Sequence, residues 1–458
     1  MRGIIRAAGY VPYWRLQRSA IGAFHGVGGK GTRSVASYDE DPTTLAVEAA
    51  RLALEGATVT PRVLWFSSST PTYLEKTNAT IAHAALRLSP STAAFDMGGA
   101  VRSGVGALRA ALSSTDDTLV IAADVRTGLP NSPDESAGGD AGSAILIGES
   151  DELVAHYLGG ASANREFLDR WRTPGDQRTK QWEEKFGQNH YVELAGQAWS
   201  GALEASGLTA DDVDLVTIAT MHSRAGGVVG KQLGRPVADN MAAMLGATGA
   251  AQAGFALTAA LEQAAIGQVV ALVSLADGAD VLLFRVTGAA SPTRPIADQL
   301  VAGNDGLPYA KYLAWRGVMS PEPPRRPEPA RVSASAAGRS VDWKYGFVGS
   351  RDRESGALHM PPARVSFVGG NIDDMEPAPM ASALGTVVTF TIDRMAYSPS
   401  PPVIFAVVDF DGGGRLPIEL TDTTPEGVEV GTRVEMTFRR LNAADGIVNY
   451  FWKARPVR

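Results

Sequence analysis

Short apolar runs alternate with helix-like segments through the first 290 residues. Arg62–Ser67, Thr118–Ala123 and Ser143–Ile147 are brief, apolar and bounded by turn residues, which predicts buried strands. Asp41 is suited to cap a helix that begins with Pro42, presents Leu45, Ala49 and Leu52 on one face and ends at Gly56. The scheme recurs, with Asp214–Ala219, Gln268–Val273 and Asp280–Phe284 as strands. Alternating β and α elements predict an α/β domain whose sheet is covered on both faces. From residue 341 the pattern changes to closely spaced alternating strands: Gly385–Ile392, Val403–Asp409, Arg415–Leu420, Arg433–Phe438 and Val448–Trp452. With Gly412-Gly-Gly414 as a hairpin turn, these predict a small all-β barrel of the OB type.

A repeat underlies the α/β part. Gly99–Leu112 resembles Gly249–Leu261, with Gly104 opposite Gly254, and each copy is followed by a strand, a Gly/Asp turn and another strand. A repeat this long indicates a duplicated half-domain, because solenoid periods are far shorter. The halves fall at about 1–150 and 190–290. Between them, the stretch 149–192 reads as a surface helical insertion, from Arg165–Arg172 and Gln181–Phe186. Residues 291–340 read as a linker, with the extended run Ser320–Pro329 after a docked turn at Tyr309–Trp315.

Composition narrows the class. A chain of 458 residues exceeds one ordinary core, so more than one domain is expected. A net charge of −7 with scattered Lys and Arg argues against nucleic-acid binding, which needs a basic stripe. No apolar run is long enough for a membrane span, and the N-terminus lacks the apolar region of a signal peptide. With no cysteine in the chain, no disulfide forms, so the cytoplasm is the expected compartment.

The first 290 residues resemble the thiolase superfamily, and within it the hydroxymethylglutaryl-CoA synthases and the related ketoacyl synthases III. The resemblance rests on Tyr38-Asp-Glu-Asp41, Ser69-Thr-Pro71, Lys76-Thr-Asn78, Phe95-Asp-Met-Gly-Gly-Ala100, Gly139-Asp-Ala141, Met221-His222, Lys231-Gln-Leu-Gly234, Leu245–Ala251 and Asp277-Gly-Ala-Asp280, in their order and spacing. It implies a duplicated fold of αβαβα layers, a homodimer formed through this domain, and an acyl-CoA or acyl-carrier thioester as substrate. Residues 341–458, through Gly349–Ser366 and Phe451–Pro456, are similar to the zinc-ribbon plus OB-fold proteins that accompany thiolase-like enzymes.

The resemblance also locates what is missing. The family's acylated cysteine belongs at the head of a buried helix, where the N-terminus lowers a thiol's pKa. Here that head reads Val101-Arg102-Ser103-Gly104. Val101 is no nucleophile; Ser103 becomes one only beside a base, and otherwise suits an N-cap. The family's acid/base histidine matches His222, which follows a strand end and is expected as a proton shuttle or a structural hydrogen-bonder. Ala247 stands where ketoacyl synthases carry asparagine, and the synthase glutamate falls near Ser69. Backbone donors around Gly98, Gly99, Val101 and Gly278 are expected to polarise a thioester carbonyl, with Gly249 keeping room for a ligand. Arg33, Arg224 and Lys231 match regions that contact CoA. In the ribbon, the thiolate positions are Asp352, Ser355, Ser366 and Gly369, a poor zinc set even with His359 nearby. No zinc or other metal is expected, and Trp343, Tyr345 and Phe347 are expected to hold the ribbon by packing.

Two readings follow. One is an enzyme, an acyltransferase or carbon–carbon lyase acting on an acyl thioester by an aldol-type or direct acyl-transfer route without an acyl-cysteine. In it Tyr10, Tyr73 or Tyr191 takes an acid/base role. The other is an inactive thiolase-fold protein that binds acyl ligands or serves as a scaffold.

Overall fold

A computed structural model describes every residue except Gln177, within the expected insertion, and Ser291, the first residue of the expected linker. The chain divides into two units. Residues 1–36, 45–80 and 88–309 form the first; residues 37–44, 81–87 and 310–458 form the second.

The first unit is built on strands β1 (Arg2–Tyr10), β2 (Val63–Ser67), β3 (Ala93–Asp96), β4 (Thr118–Asp124), β5 (Ala141–Glu149), β6 (Ala155–Ala163), β7 (Leu215–Thr220), β8 (Val269–Leu275) and β9 (Ala279–Val286). They form one sheet in the order β7-β8-β9-β6-β1-β5-β4-β2-β3. The duplication is explicit in the pairing. β1–β5 and β5–β4 are antiparallel, and β4–β2 and β2–β3 parallel. In the second half β6–β9 and β9–β8 are antiparallel and β8–β7 parallel, with a parallel bridge from Val216 to Val237 in place of the last strand. The halves meet where Gly3 and Ile4 pair with His156 and Ala155.

The helices of this fold include α1 (Pro42–Leu54), α2 (Ala79–Ala85), α3 (Ser103–Ser113), α4 (Glu184–Ser206), α5 (Ser223–Leu233) and α6 (Gln252–Gln263). Asp41 Oδ1 accepts the Thr44 amide 2.9 Å away, so the expected cap of α1 forms. The repeated helices α3 and α6 share one apolar core, with Val105, Leu108, Leu257 and Leu261 all buried in it. A Cβ on Gly104 would stand 2.0 Å from the Ala250 carbonyl oxygen, so this close approach requires glycine.

Two expectations need correction. The stretch 149–192 contains sheet strand β6, and Arg165–Arg172 is not helical; Arg170–Trp171 pairs with Lys180–Gln181 as a short hairpin. The charged and aromatic residues of Arg165–Arg172 look helical in composition, but they lack an apolar stripe at helical spacing, and of these eight Phe167 alone joins the apolar core. The expected linker also begins too early. A helix at Ile296–Val301 buries Ile296 and ties Gln299 to the Val11 amide and the Gly9 carbonyl, both at 2.8 Å.

In the second unit, β10 (Val348–Asp352), β11 (Leu358–His359) and β12 (Met375–Pro379) make a small sheet. β13 (Leu384–Asp393), β14 (Val403–Phe410), β15 (Arg415–Leu420), β16 (Arg433–Ala444) and β17 (Ile447–Pro456) close into a barrel in the order β13-β14-β15-β17-β16. Alternation along β14 and β15 sends Ile404, Ala406, Val408, Leu416 and Ile418 inward. Buried charges in this unit are matched: Lys453 lies 3.0 Å from Asp39 and also bonds Glu419, while Arg439 pairs with Glu40 and, at 2.7 Å, Asp422. Among the described residues, no helix is long and apolar enough to cross a membrane.

Candidate active site

The head of α3 opens on a cavity of about 880 Å³ in the first unit. Its walls include Ser69, Tyr73, Gly98, Gly99, Val101, Arg126, Asp169, Arg170, Arg172, Tyr191, His222 and Asp277. The loop that delivers Val101 is fixed at both ends. Asp96 accepts the amides of Asn78 and Ala79 at 2.8 and 2.7 Å, and the Gly99 amide donates to the Ser68 carbonyl at 3.1 Å. Ser103 begins α3, its hydroxyl donating to the Gly98 carbonyl at 3.2 Å; it does not line the cavity. Its expected capping role is also absent, because the N-cap position belongs to Arg102. Arg102 instead bonds Asp280 at 2.9 Å and the Asp277 carbonyl at 2.8 Å, joining the two halves beside the cavity.

His222 sits in the wall with both ring nitrogens engaged. Nδ1 accepts the Ala225 amide at 3.1 Å, which caps α5, and Nε2 lies 2.8 Å from the Glu184 carbonyl, which fixes it as the protonated nitrogen. No ring nitrogen remains to take a proton in this arrangement. The phenol beside it is differently placed. Tyr191 packs edge-on to His222 at 5.7 Å, donates to Asp169 Oδ2 at 3.2 Å and accepts the Asp277 amide at 3.3 Å. Burial, with Asp169 and Asp277 adding to it, pushes the Tyr191 hydroxyl well above its ordinary pKa, so it stays neutral and proton-bearing. Asp277 is raised too, by partial burial and then by Asp169.

On the opposite chemistry, Ser69 donates to Asp124 at 2.5 Å and accepts from Arg126 Nη1 at 3.1 Å. Burial lowers the Arg126 pKa, and Asp124 and Asp134 oppose that.

The structure does not assemble the other expected residues. Cβ atoms on Gly249 and Gly278 would lie 1.9 Å from Asp124 Oδ2 and 2.4 Å from Arg102 Nη1, so these glycines make room for side chains, not for a ligand. Arg33 is fully buried and donates to the Glu135 and Arg126 carbonyls at 2.6 and 2.9 Å, a structural role. Arg224 pairs with Glu184 at the surface, Lys231 is exposed on α5, and neither lines the cavity. Tyr10 is buried on β1, away from it. Ala247 borders a second cavity of about 870 Å³, together with Arg18, His25 and Gln252; Met221 lines both.

Sequence reasoning missed Arg126, Arg170, Arg172 and Asp169. Arg126 follows the carboxyl end of β4, where ligands collect in such sheets, and that signal was available. The others lay in the stretch misread as helix.

In the second unit, the expected zinc positions hold a hydrogen-bonded knot. The Asp352 carboxylate accepts from Ser355, from Ser366, from Asn371 at 3.1 Å and from the Glu354 amide at 3.1 Å. These donors, Ser355 foremost, hold it well below the usual carboxylate range. One carboxylate and two hydroxyls already bonded to one another, with Gly369 bearing no ligand atom, do not suit zinc. Trp343 stacks on Phe347 at 5.5 Å, and Phe347 meets Phe410 and Trp452 of the barrel. The aromatic residues therefore pack toward the barrel, while Asp352 closes the loops. His359 packs edge-on against Phe367 instead of entering the knot.

A family model for the C-terminal OB-fold domain of ChsH2 matches residues 380–439. The chain is 28% identical over 336 residues to a hydroxymethylglutaryl-CoA synthase of Pyrococcus horikoshii, covering 69% of this chain and 95% of that protein. It is 30% identical over 245 residues to the Pyrococcus furiosus hydroxymethylglutaryl-CoA synthase, covering 51% and 70%. Among solved structures, MvaS in complex with 3-hydroxy-3-methylglutaryl coenzyme A superimposes with a TM-score of 0.61 at 19% identity, over 72% of this chain and 94% of that one.

Proposed function

Because this chain belongs to the hydroxymethylglutaryl-CoA synthase family, with a duplicated thiolase fold followed by an OB-fold barrel, we propose that it makes or breaks a carbon–carbon bond on an acyl thioester without an acyl-cysteine intermediate. The observation that carries this is Val101 at the head of α3, facing a cavity that keeps a neutral, proton-bearing Tyr191.

Aldol-type chemistry needs no nucleophilic side chain. In the cleavage direction a base takes the proton of the 3-hydroxyl. The carbon–carbon bond then breaks, its electrons pass into the thioester enolate, and an acid returns a proton to that carbon. Asp277, whose pKa is raised by partial burial and by Asp169, suits the base. Tyr191 suits the acid, since its phenol stays protonated. His222 serves this site as the cap that orients α5. A homodimer through the thiolase-fold unit is part of the same proposal.

The test is direct. Thermal-shift titration with CoA, acetyl-CoA and longer acyl-CoAs should raise stability, by about 2.7 kcal/mol at a hundredfold excess over Kd. Intact-mass analysis after incubation should show no acyl adduct, and 3-hydroxyacyl-CoA should release a carbonyl product. A specific observation favours the alternative of an inactive acyl-ligand binder: both nitrogens of His222 are occupied. That reading predicts the thermal shift without any product.

A further inference from the structure

One wall of the cavity gathers more cation than the site described above uses. Arg126, Arg170 and Arg172 all line it. Arg126 is 5% exposed, and its backbone amide is pinned to Asp140 at 2.7 Å. Two of the three guanidiniums share one carboxylate, Asp134, at 3.6 Å from Arg126 and 2.7 Å from Arg170. Arg172 donates to the Ser69 carbonyl and forms no ion pair among the described residues. Asp124, behind them, is already occupied by the hydroxyls of Ser68, Ser69 and Thr70 and by the Ala250 amide. Arg126 Nε and Arg170 Nη1 are buried with no hydrogen-bond partner among the described residues. Buried guanidinium donors ordinarily find acceptors, so an acceptor from outside the chain would complete this cluster of three cations on one wall.

The acids of the same cavity do not fill that role. Asp96 is bonded to the amides at the start of α2, Asp169 to Tyr191 and Asp176 to Thr173 and Lys180, and among the described residues Asp277 forms no ion pair with these arginines. A planar guanidinium fork matches a carboxylate bidentately, and hydroxyls from Ser69 and Thr179 flank Arg126. We propose that this corner binds the carboxylate of the carbonyl partner in the reaction, so that the partner is a 2-oxo acid and not a neutral ketone or aldehyde. The inference rests on the aldol-type reading above. In the forward direction the roles reverse: the α-carbon of the thioester loses its proton to the group that returns one there in cleavage. That carbon bonds the keto carbon of the oxo acid, and the resulting alkoxide takes its proton from the group that acts as base in cleavage. No further reactant is required.

The experiment compares pyruvate with methyl pyruvate, which keeps the keto group and loses the charge, by titration of the full chain. Propionate, a carboxylate without the keto group, and butyryl-CoA are run in parallel. Pyruvate is expected to bind at least about tenfold more tightly than methyl pyruvate and more tightly than propionate. Arg172→Gln should abolish the preference, Arg172→Lys should keep part of it, and both should leave butyryl-CoA affinity unchanged. Equal affinity for pyruvate and methyl pyruvate overturns the carboxylate corner, and equal affinity for pyruvate and propionate overturns the 2-oxo acid. Butyryl-CoA binding, scored separately, decides the thioester reading. Pyruvate binding without thioester binding retains the corner and removes the aldol reading; binding of neither removes both.

Discussion

At the head of α3 and in the loops around Asp352, the resemblance expects thiolates, and the two places have replaced them in opposite ways. Val101 puts an inert side chain beside an open cavity and leaves the surrounding polar groups to one another. Asp352 draws Ser355, Ser366, Asn371 and the Glu354 amide onto one carboxylate and closes its loops by hydrogen bonds. The carboxylates report the same contrast. Hydrogen bonds lower the Asp352 pKa, whereas burial raises that of Asp277 in the cavity. A group stabilised in its charged form holds structure; one destabilised in it is poised to take a proton. The apolar replacement left space because a valine needs no partner. The polar replacement left none, because buried polar groups must satisfy each other.

The largest expected effect is at Tyr191. If the cavity is the working site, Tyr191→Phe removes the neutral acid while keeping the ring, and turnover should fall by roughly 10²- to 10⁴-fold with acyl-thioester affinity little changed. Steady-state kinetics beside a binding titration reads both. Turnover unchanged in Tyr191→Phe would remove the phenol from the chemistry. The raised pKa of Asp277 adds a sign: activity that needs its carboxylate should rise with pH through a value raised from that of an ordinary aspartate, and Asp277→Asn should abolish that limb.

Next comes the missing thiol itself. Val101→Cys should place a reactive sulfur at a helix N-terminus, where its pKa is lowered. Acetyl-CoA should then leave a single acyl adduct by intact mass, where the natural chain leaves none. A cysteine that iodoacetamide alkylates but acetyl-CoA does not acylate would show that no thioester carbonyl reaches the helix head.

Both halves of this comparison were partly legible. Strand periodicity located β4, β5, β8 and four of the barrel strands within a few residues and found the start of β16, whose exposed end to Ala444 it missed, because buried strands tolerate little else. The Gly104/Gly254 repeat exposed the duplication, since close helix packing demands small residues. Val101 was identified by its place in a motif. The arginine corner was hidden because Arg170 lies on a two-residue strand and Arg172 just after it, too short a stretch for any period to register. Asp352 as a hub was hidden for another reason. Ser355 and Asn371 reach it from loops, and hydrogen bonds between loops leave no periodic trace. Arg33 misled because a buried arginine that donates to carbonyls looks, in sequence, like any cation.

The ribbon side is tested by Asp352→Ala. It leaves Ser355, Ser366 and Asn371 without their shared acceptor, and the second unit should melt several degrees lower, followed by tryptophan fluorescence. Val101→Ala should change melting little. The pH dependence has a definite sign. A carboxyl held below its ordinary range contributes stability that is complete above the unfolded value, about pH 4, and is lost as pH falls toward the folded one. The gap between natural chain and variant should therefore narrow from pH 5 to pH 3. A gap that stays constant would mean that the charge on Asp352 does not hold the loops.

The smallest effect separates the two sites most finely. His222 faces the cavity, yet its ring is bonded as the Asp352 knot is, with every polar atom satisfied by the chain. If it is a cap, His222→Ala should cost about 1 kcal/mol in denaturant unfolding, and His222→Asn, whose side-chain oxygen also accepts at an N-cap, only a few tenths. Turnover should follow stability and survive in the Asn variant. If His222 is a proton shuttle, the Asn variant should keep its stability and lose activity by about a hundredfold or more. Unfolding midpoint and turnover measured on one preparation distinguish the cases. The second outcome would require the 2.8 Å bond from Nε2 to the Glu184 carbonyl to break during the reaction, turning a wall of the cavity into part of its machinery.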